Sequence, residues 1–135
     1  EKARIWGDTP RELARIAVNH LRQRDPDRLD ILEIGCGYGR DTAYMSDQLD
    51  ARILSTDPSQ VAIGMAQATC HASNVSFRCC GFAETSGTYD AVVASNVYHV
   101  LDTVERRQLG QTVAERLRPG GLLFLNTLSV ADPQH

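Results

Sequence analysis

Ile31-Leu32-Glu33-Ile34-Gly35-Cys36-Gly37-Tyr38-Gly39-Arg40 is the stretch whose reading decides the fold. Leu29 to Ile34 is a short, mostly apolar run of strand length that breaks abruptly into glycines at 35, 37 and 39. Glycines there let the backbone turn sharply and let a ligand approach with no Cβ in the way. The spacing is GxGxG. A dinucleotide fingerprint needs GxGxxG, and Arg40 stands where its third glycine would be. A bulky side chain at that point opposes close helix–strand packing over a pyrophosphate. The turn therefore favours a ligand without phosphates.

Outward from this turn the chain alternates. A helix is predicted over about Arg40 to Leu49, then a second strand over Arg52 to Thr56 that closes on Asp57-Pro58-Ser59. Ser59 is placed to cap a helix running to about Ala72. Val75 to Cys80 reads as a third strand, Glu84 to Thr88 as a polar loop, and Ala91 to Ser95 as a fourth strand. Asp102-Thr103-Val104-Glu105 starts another helix, Arg118-Pro119-Gly120-Gly121 reads as a turn, and Leu122 to Asn126 as a fifth strand. Upstream, Thr9-Pro10-Arg11-Glu12 is a capping box opening a helix from about Pro10 to Arg24, with Leu13, Ile16, Ala17 and Leu21 at helical spacing. Strands alternating with helices imply parallel βαβ units in a doubly wound α/β sheet. Right-handed crossovers then place helices on both faces. In such a sheet ligands bind at the carboxyl ends of the strands.

Composition bounds the function. The 135 residues fit one domain, 1–135, with 42% hydrophobic and 23% charged residues, ordinary for a globular chain. A formal net charge of −3 offers no strong field for a polyanion, so no nucleic-acid partner is expected. No apolar run is long enough for a membrane span, and no signal-peptide core follows the N-terminus. Cys36, Cys70, Cys79 and Cys80 show no zinc-type spacing, so no metal site is expected. They read as buried, reduced thiols of a cytoplasmic protein, with Cys79 and Cys80 on opposite faces of their strand.

The strand tips carry the chemistry. Asp57, at the tip of strand two, lies 18 residues past Gly39, about what one helix and one strand consume. A carboxylate there can accept hydrogen bonds from both hydroxyls of a ribose. Strand three leads to Gly81-Phe82-Ala83, where an aromatic ring can lie against a nucleobase. Strand four ends in Ser95-Asn96-Val97-Tyr98-His99, a row of polar groups at a pocket mouth. Each residue also has a plainer reading. Asp57 could only start a helix, Glu33 could be a solvated strand-end acid, Phe82 could be core, and His99 could be structural.

In this order the pattern resembles the class I S-adenosylmethionine (SAM)-dependent methyltransferases. The likeness rests on residues 31–40, Ser55-Thr56-Asp57-Pro58-Ser59, the run from Tyr89 to Asn96, and the run from Leu117 to Phe124. The ends, Ile5-Trp6-Gly7 and Leu125 to Pro133, look like a bacterial small-molecule subgroup near the tellurite-resistance type. The resemblance implies a three-layer Rossmann-like sandwich with a mainly parallel sheet of order 3-2-1-4-5. It implies SAM as cofactor and a small-molecule methyl acceptor. The implied cofactor-binding residues are Glu33, Gly35, Cys36, Gly37, Gly39, Asp57, Pro58, Phe82, Ala83 and Asn96, with Glu33 and the Gly35 and Gly37 backbone on the methionine part and Asn96 beside the reacting methyl. Tyr98 and His99 are the catalytic candidates. Two departures stand out. Phe82 occupies about the place of the family's usual acid after strand three, leaving the adenine to backbone groups or Glu84. The family's C-terminal antiparallel hairpin is absent, so the chain is expected to be C-terminally incomplete. Strand five then becomes an open edge, and a homodimer is a possible partner arrangement. A non-catalytic SAM-binding or interaction domain, and a nicotinamide-dependent oxidoreductase, are the rival readings; Arg40 opposes the second.

Overall fold

The computed structural model describes residues 12–24, 28–95 and 97–126. In chain order they form α1 (Glu12–Leu21), β1 (Leu29–Ile34), α2 (Arg40–Gln48), β2 (Ala51–Asp57), α3 (Gln60–Thr69), β3 (Val75–Cys79), β4 (Tyr89–Ala94), α4 (Thr103–Arg116) and β5 (Leu117–Leu125). Single 3-10 turns, Phe82–Glu84 and Tyr98–Val100, precede β4 and α4. The five strands form one parallel sheet of order β3-β2-β1-β4-β5. The Rossmann-like order implied by the sequence is the order observed.

Local chemistry accounts for the ends. Ser59 Oγ accepts from the Ala62 N–H at 3.1 Å, capping α3 as expected. Asp102 and Glu105 form a reciprocal capping box at the start of α4. The helix after Ser59 stops at Thr69, short of Ala72: Cys70 turns to extended backbone and its N–H closes on the Ala66 carbonyl. The Thr9-Pro10 cap of α1, Trp6 and the C-terminal residues 127–135 lie outside the described residues.

The sheet buries its two faces differently. Ile31, Ile53, Ala91, Val93 and Phe124 face α1 and α2, together with Ala17, Val18, Leu21 and Met45. α3 lies beside Phe77, which pairs in register through Ser55 with Glu33 and so shares that face. Leu32, Ile34, Val92 and Ala94 face the other way, against Leu109 and Val113 of α4. Helices do occupy both faces, but among the described residues α4 alone covers the second. The β3–β4 connection carries only a 3-10 turn. That leaves open space at the strand tips on the α4 face.

Two expectations need correction. Arg118-Pro119-Gly120-Gly121 is not a turn preceding strand five but an insertion within it. Tyr89 pairs with Leu117 and Ala91 with Leu122, a step of two residues on β4 against five on β5. Arg118 pins the insertion by donating to Asp30 Oδ2 at 2.8 Å and Asp90 Oδ2 at 3.0 Å. The cysteines are not all buried either. Cys36, Cys70 and Cys80 are, but Cys79 is exposed because it lies on edge strand β3, pointing away from Cys80. All four are free thiols.

Candidate cofactor-binding site

The glycine turn after β1 is held by the tip of β2. The Gly35 and Cys36 N–H groups both donate to the Thr56 carbonyl at 2.9 Å, using its two lone pairs. Thr56 Oγ1 donates back to the Glu33 carbonyl at 3.1 Å. Gly39 closes the turn by donating to the Cys36 carbonyl at 3.1 Å and then caps α2 in a left-handed conformation. Asp57 completes the brace. Its Oδ2 accepts the Gly37 N–H at 3.0 Å, and its Oδ1 accepts the Ser59 N–H at 2.9 Å. The acid and the glycine turn, read as partners from sequence, are in direct contact.

Both border a cleft of about 590 Å³ at the carboxyl end of the sheet, on the α4 face. That size suits a drug-sized ligand, and the lining is mostly apolar with a few polar groups, as small-molecule sites are. Gly35, Gly37, Asp57, Pro58, Phe82 and Ala83 all line it. A Cβ built on Gly37 meets nothing within 4 Å, so the absence of a side chain there leaves open cleft.

The other candidates sit elsewhere. Glu33 lies beneath the turn, 1% exposed, where Thr42 Oγ1 and Ser55 Oγ (2.8 Å) both donate to its Oε1. Cys36 is buried, and burial, reinforced by the negative charges of Glu33 and Asp57, pushes its thiol well above the ordinary range. Gly39 does not line the cleft: a Cβ there would stand 2.8 Å from the Ala66 Cβ, so glycine is required for α3 to pack. Tyr98 and His99 do not line the cleft either. The Tyr98 ring carries the Arg106 guanidinium 4.4 Å from its centroid. His99 Nδ1 is buried with no hydrogen-bond partner among the described residues. Asn96 lies outside the described residues.

Several site residues were not read from the sequence. Thr42 and Ser55, both buried, hold Glu33. The signal for them is a polar side chain at an inward position of an apolar element, Ser55 being in register with Glu33. Ser95, by contrast, is one of the polar groups the sequence places at the pocket mouth; it lines the cleft, 3% exposed, and its hydroxyl has no partner among the described residues. Leu101, Glu105 and Gln108 enter the lining from the end of the 3-10 turn and from α4, which no local pattern indicates.

This geometry agrees with the kinship of the chain. Residues 31–121 match the family described as "Methyltransferase domain". The chain belongs to the class I SAM-dependent methyltransferase family. It is 33% identical over 129 residues to the human mitochondrial ubiquinone biosynthesis O-methyltransferase, covering 87% of this chain and 33% of that one. It is 31% identical over 128 residues to the malonyl-[acyl-carrier protein] O-methyltransferase of Acetivibrio thermocellus, covering 90% of this chain and 44% of that one. Among solved structures, DhpI in complex with SAM and HEP superposes with a TM-score of 0.67 at 26% identity, over 82% of this chain and 51% of that one. The chain thus spans between a third and a half of the length of these curated relatives. Among the described residues, no helix is long and apolar enough to cross a membrane.

Proposed function

We propose that this chain binds SAM in the strand-tip cleft and serves methyl transfer to an oxygen nucleophile on a small molecule. The observation that carries this reading is the Asp57 carboxylate, braced on the Gly37 N–H at the rim of a cleft wide enough for a nucleoside. When bound, SAM supplies a methyl group made electrophilic by its sulfonium, so the hard chemistry belongs to the cofactor. The protein has to hold the donor and admit the acceptor in line. Asp57 accepts from the ribose hydroxyls; Pro58, Phe82 and Ala83 give the nucleoside an apolar bed; the open side of Gly37 admits the amino-acid end. Glu33, Thr42 and Ser55 act from below as positioning residues that keep the turn in shape. The oxygen acceptor is supported by the O-methyltransferase names of the relatives. The two base candidates, Tyr98 and His99, stand outside the cleft lining, so the proposal does not depend on either. The terminal stretches that pointed to a tellurite-resistance type lie largely outside the described residues, and the names of the relatives favour an O-methyltransferase in its place.

Calorimetric titration with SAM and S-adenosylhomocysteine (SAH) tests the proposal. Micromolar binding is expected, with at least about tenfold weaker binding in Asp57→Ala, which loses charge-assisted hydrogen bonds. No binding to a folded chain, or unchanged affinity in the variant, contradicts it. Cofactor binding without turnover on a panel of phenol, carboxylate, thiol and amine acceptors would instead favour a non-catalytic SAM-binding domain.

A further inference from the structure

The purine end of the cleft lacks a carboxylate where β3 ends. Phe82 and Ala83 line it with apolar side chains. Glu84, the nearby acid, is occupied: its Oε1 accepts the Gly81 N–H at 2.7 Å and so shapes the 82–84 turn. Two carbonyls at the start of that turn are engaged as well. Gly81 receives Glu84 N–H, and Phe82 receives both the N–H and the hydroxyl of Thr85, the latter at 2.7 Å. With these groups engaged, an uncommitted acceptor for an exocyclic amino group is found on another element. α4 packs against the turn and supplies it. Glu105 and Gln108, one helical turn apart, both reach the cleft. Glu105 is committed to its cap, its Oε1 accepting the Asp102 N–H at 2.9 Å. The Gln108 amide is exposed and makes no hydrogen bond among the described residues.

We infer that Gln108 reads the amino edge of the adenine, a specificity residue on α4 that stands in for an acid after β3. The inference rests on the cofactor reading above. Strand order sets the direction. With the ribose held at the β2 tip by Asp57, the base points away from the glycine turn of β1, toward the 82–84 turn and the helix behind it. A primary amide offers one acceptor and one donor side by side. Adenine offers the complement, an amino donor beside the ring nitrogen N7, the pairing by which glutamine selects adenine in nucleic acids. Hypoxanthine puts two acceptors at that edge, one of which opposes the amide oxygen.

The test compares SAH with its deaminated analogue, S-inosylhomocysteine, by calorimetry on wild-type chain and on Gln108→Ala. Gln108 is exposed, so the thermal midpoint of the variant is expected to match the wild type. The wild type should prefer SAH by about tenfold or more, the discrimination a bidentate amide supplies. In Gln108→Ala, SAH should lose about tenfold in affinity while the analogue changes by less than about twofold, erasing the preference. A preference that survives in Gln108→Ala, or a wild type with none, overturns this inference while leaving the cofactor reading intact. A wild-type chain that binds neither ligand overturns both.

Discussion

Gly37 and Gly39 stand two residues apart in the same turn, yet replacing each with alanine should damage different properties. Both have positive φ, 56° and 87°, so each alanine pays the left-handed strain of about 1–2 kcal/mol. For Gly37→Ala that is the whole cost to the fold, because its Cβ meets nothing within 4 Å. For Gly39→Ala the new Cβ stands 2.8 Å from the Ala66 Cβ and 3.2 Å from the Ala66 Cα. One of those neighbours is backbone of α3, so the helix itself must move, an overpacking cost of about 1–3 kcal/mol. The expected losses are therefore about 1–2 kcal/mol for Gly37→Ala and about 2–5 kcal/mol for Gly39→Ala. Binding should reverse the ranking. Gly37 lines the cleft and its methyl would enter ligand space, whereas Gly39 does not line it. Urea unfolding followed by circular dichroism gives the stabilities, and SAH titration of the folded variants gives the affinities. Equal shifts in the unfolding midpoint, or a Gly37→Ala variant that is the less stable of the two, would refute the assignment of Gly39 to helix packing and Gly37 to the ligand.

Two further outcomes follow from the electrostatics. Burial raises the Asp30 carboxyl, but hydrogen bonds and charge from Arg118 and Arg52 outweigh it and hold its pKa below the ordinary value. A carboxyl lowered on folding contributes stability above its unfolded pKa of about 4 and loses it as the pH falls through the lower folded value. Asp30→Asn should therefore flatten the acid limb of the urea midpoint below about pH 4 and change little at pH 7 beyond the lost ion pairs; an unaltered acid limb would count against the Asp30–Arg118 pin. Among the thiols, exposed Cys79 should be alkylated by iodoacetamide at least about ten times faster than Cys36, whose thiol burial holds protonated. Peptide mass spectrometry reads the order, and early labelling of Cys36 would contradict its burial under the turn.

The sheet and the heart of the site were legible along the chain because they are local and periodic. Apolar runs of strand length, glycines at 35, 37 and 39, and Asp57 one βα unit later each state their geometry within a few residues. The capping groups Ser59 and Asp102 are equally local, and each makes the bond its position called for. Strand order came only with the family resemblance, since no single strand says which neighbour it pairs with.

What the sequence by itself determined is a parallel α/β sheet whose first turn and second tip meet at a cleft, because backbone freedom and a carboxylate act where they stand. Tertiary structure alone decided which of those residues face the cleft. Glu33 and Gly39 look like ligand contacts on paper; inward strand register sets Glu33 on Ser55 beneath the turn, and the approach of α3 fills the space beside Gly39. Gln108 carries no local signal, and it enters the cleft because the packing of α4 brings a distant segment to the strand tips. Arg118-Pro119-Gly120-Gly121 reads as a turn in isolation and becomes a bulge only because β4 pairs on either side of it. Contacts between residues far apart in the chain are set by which surfaces bury best together, and that sum is taken over the whole molecule.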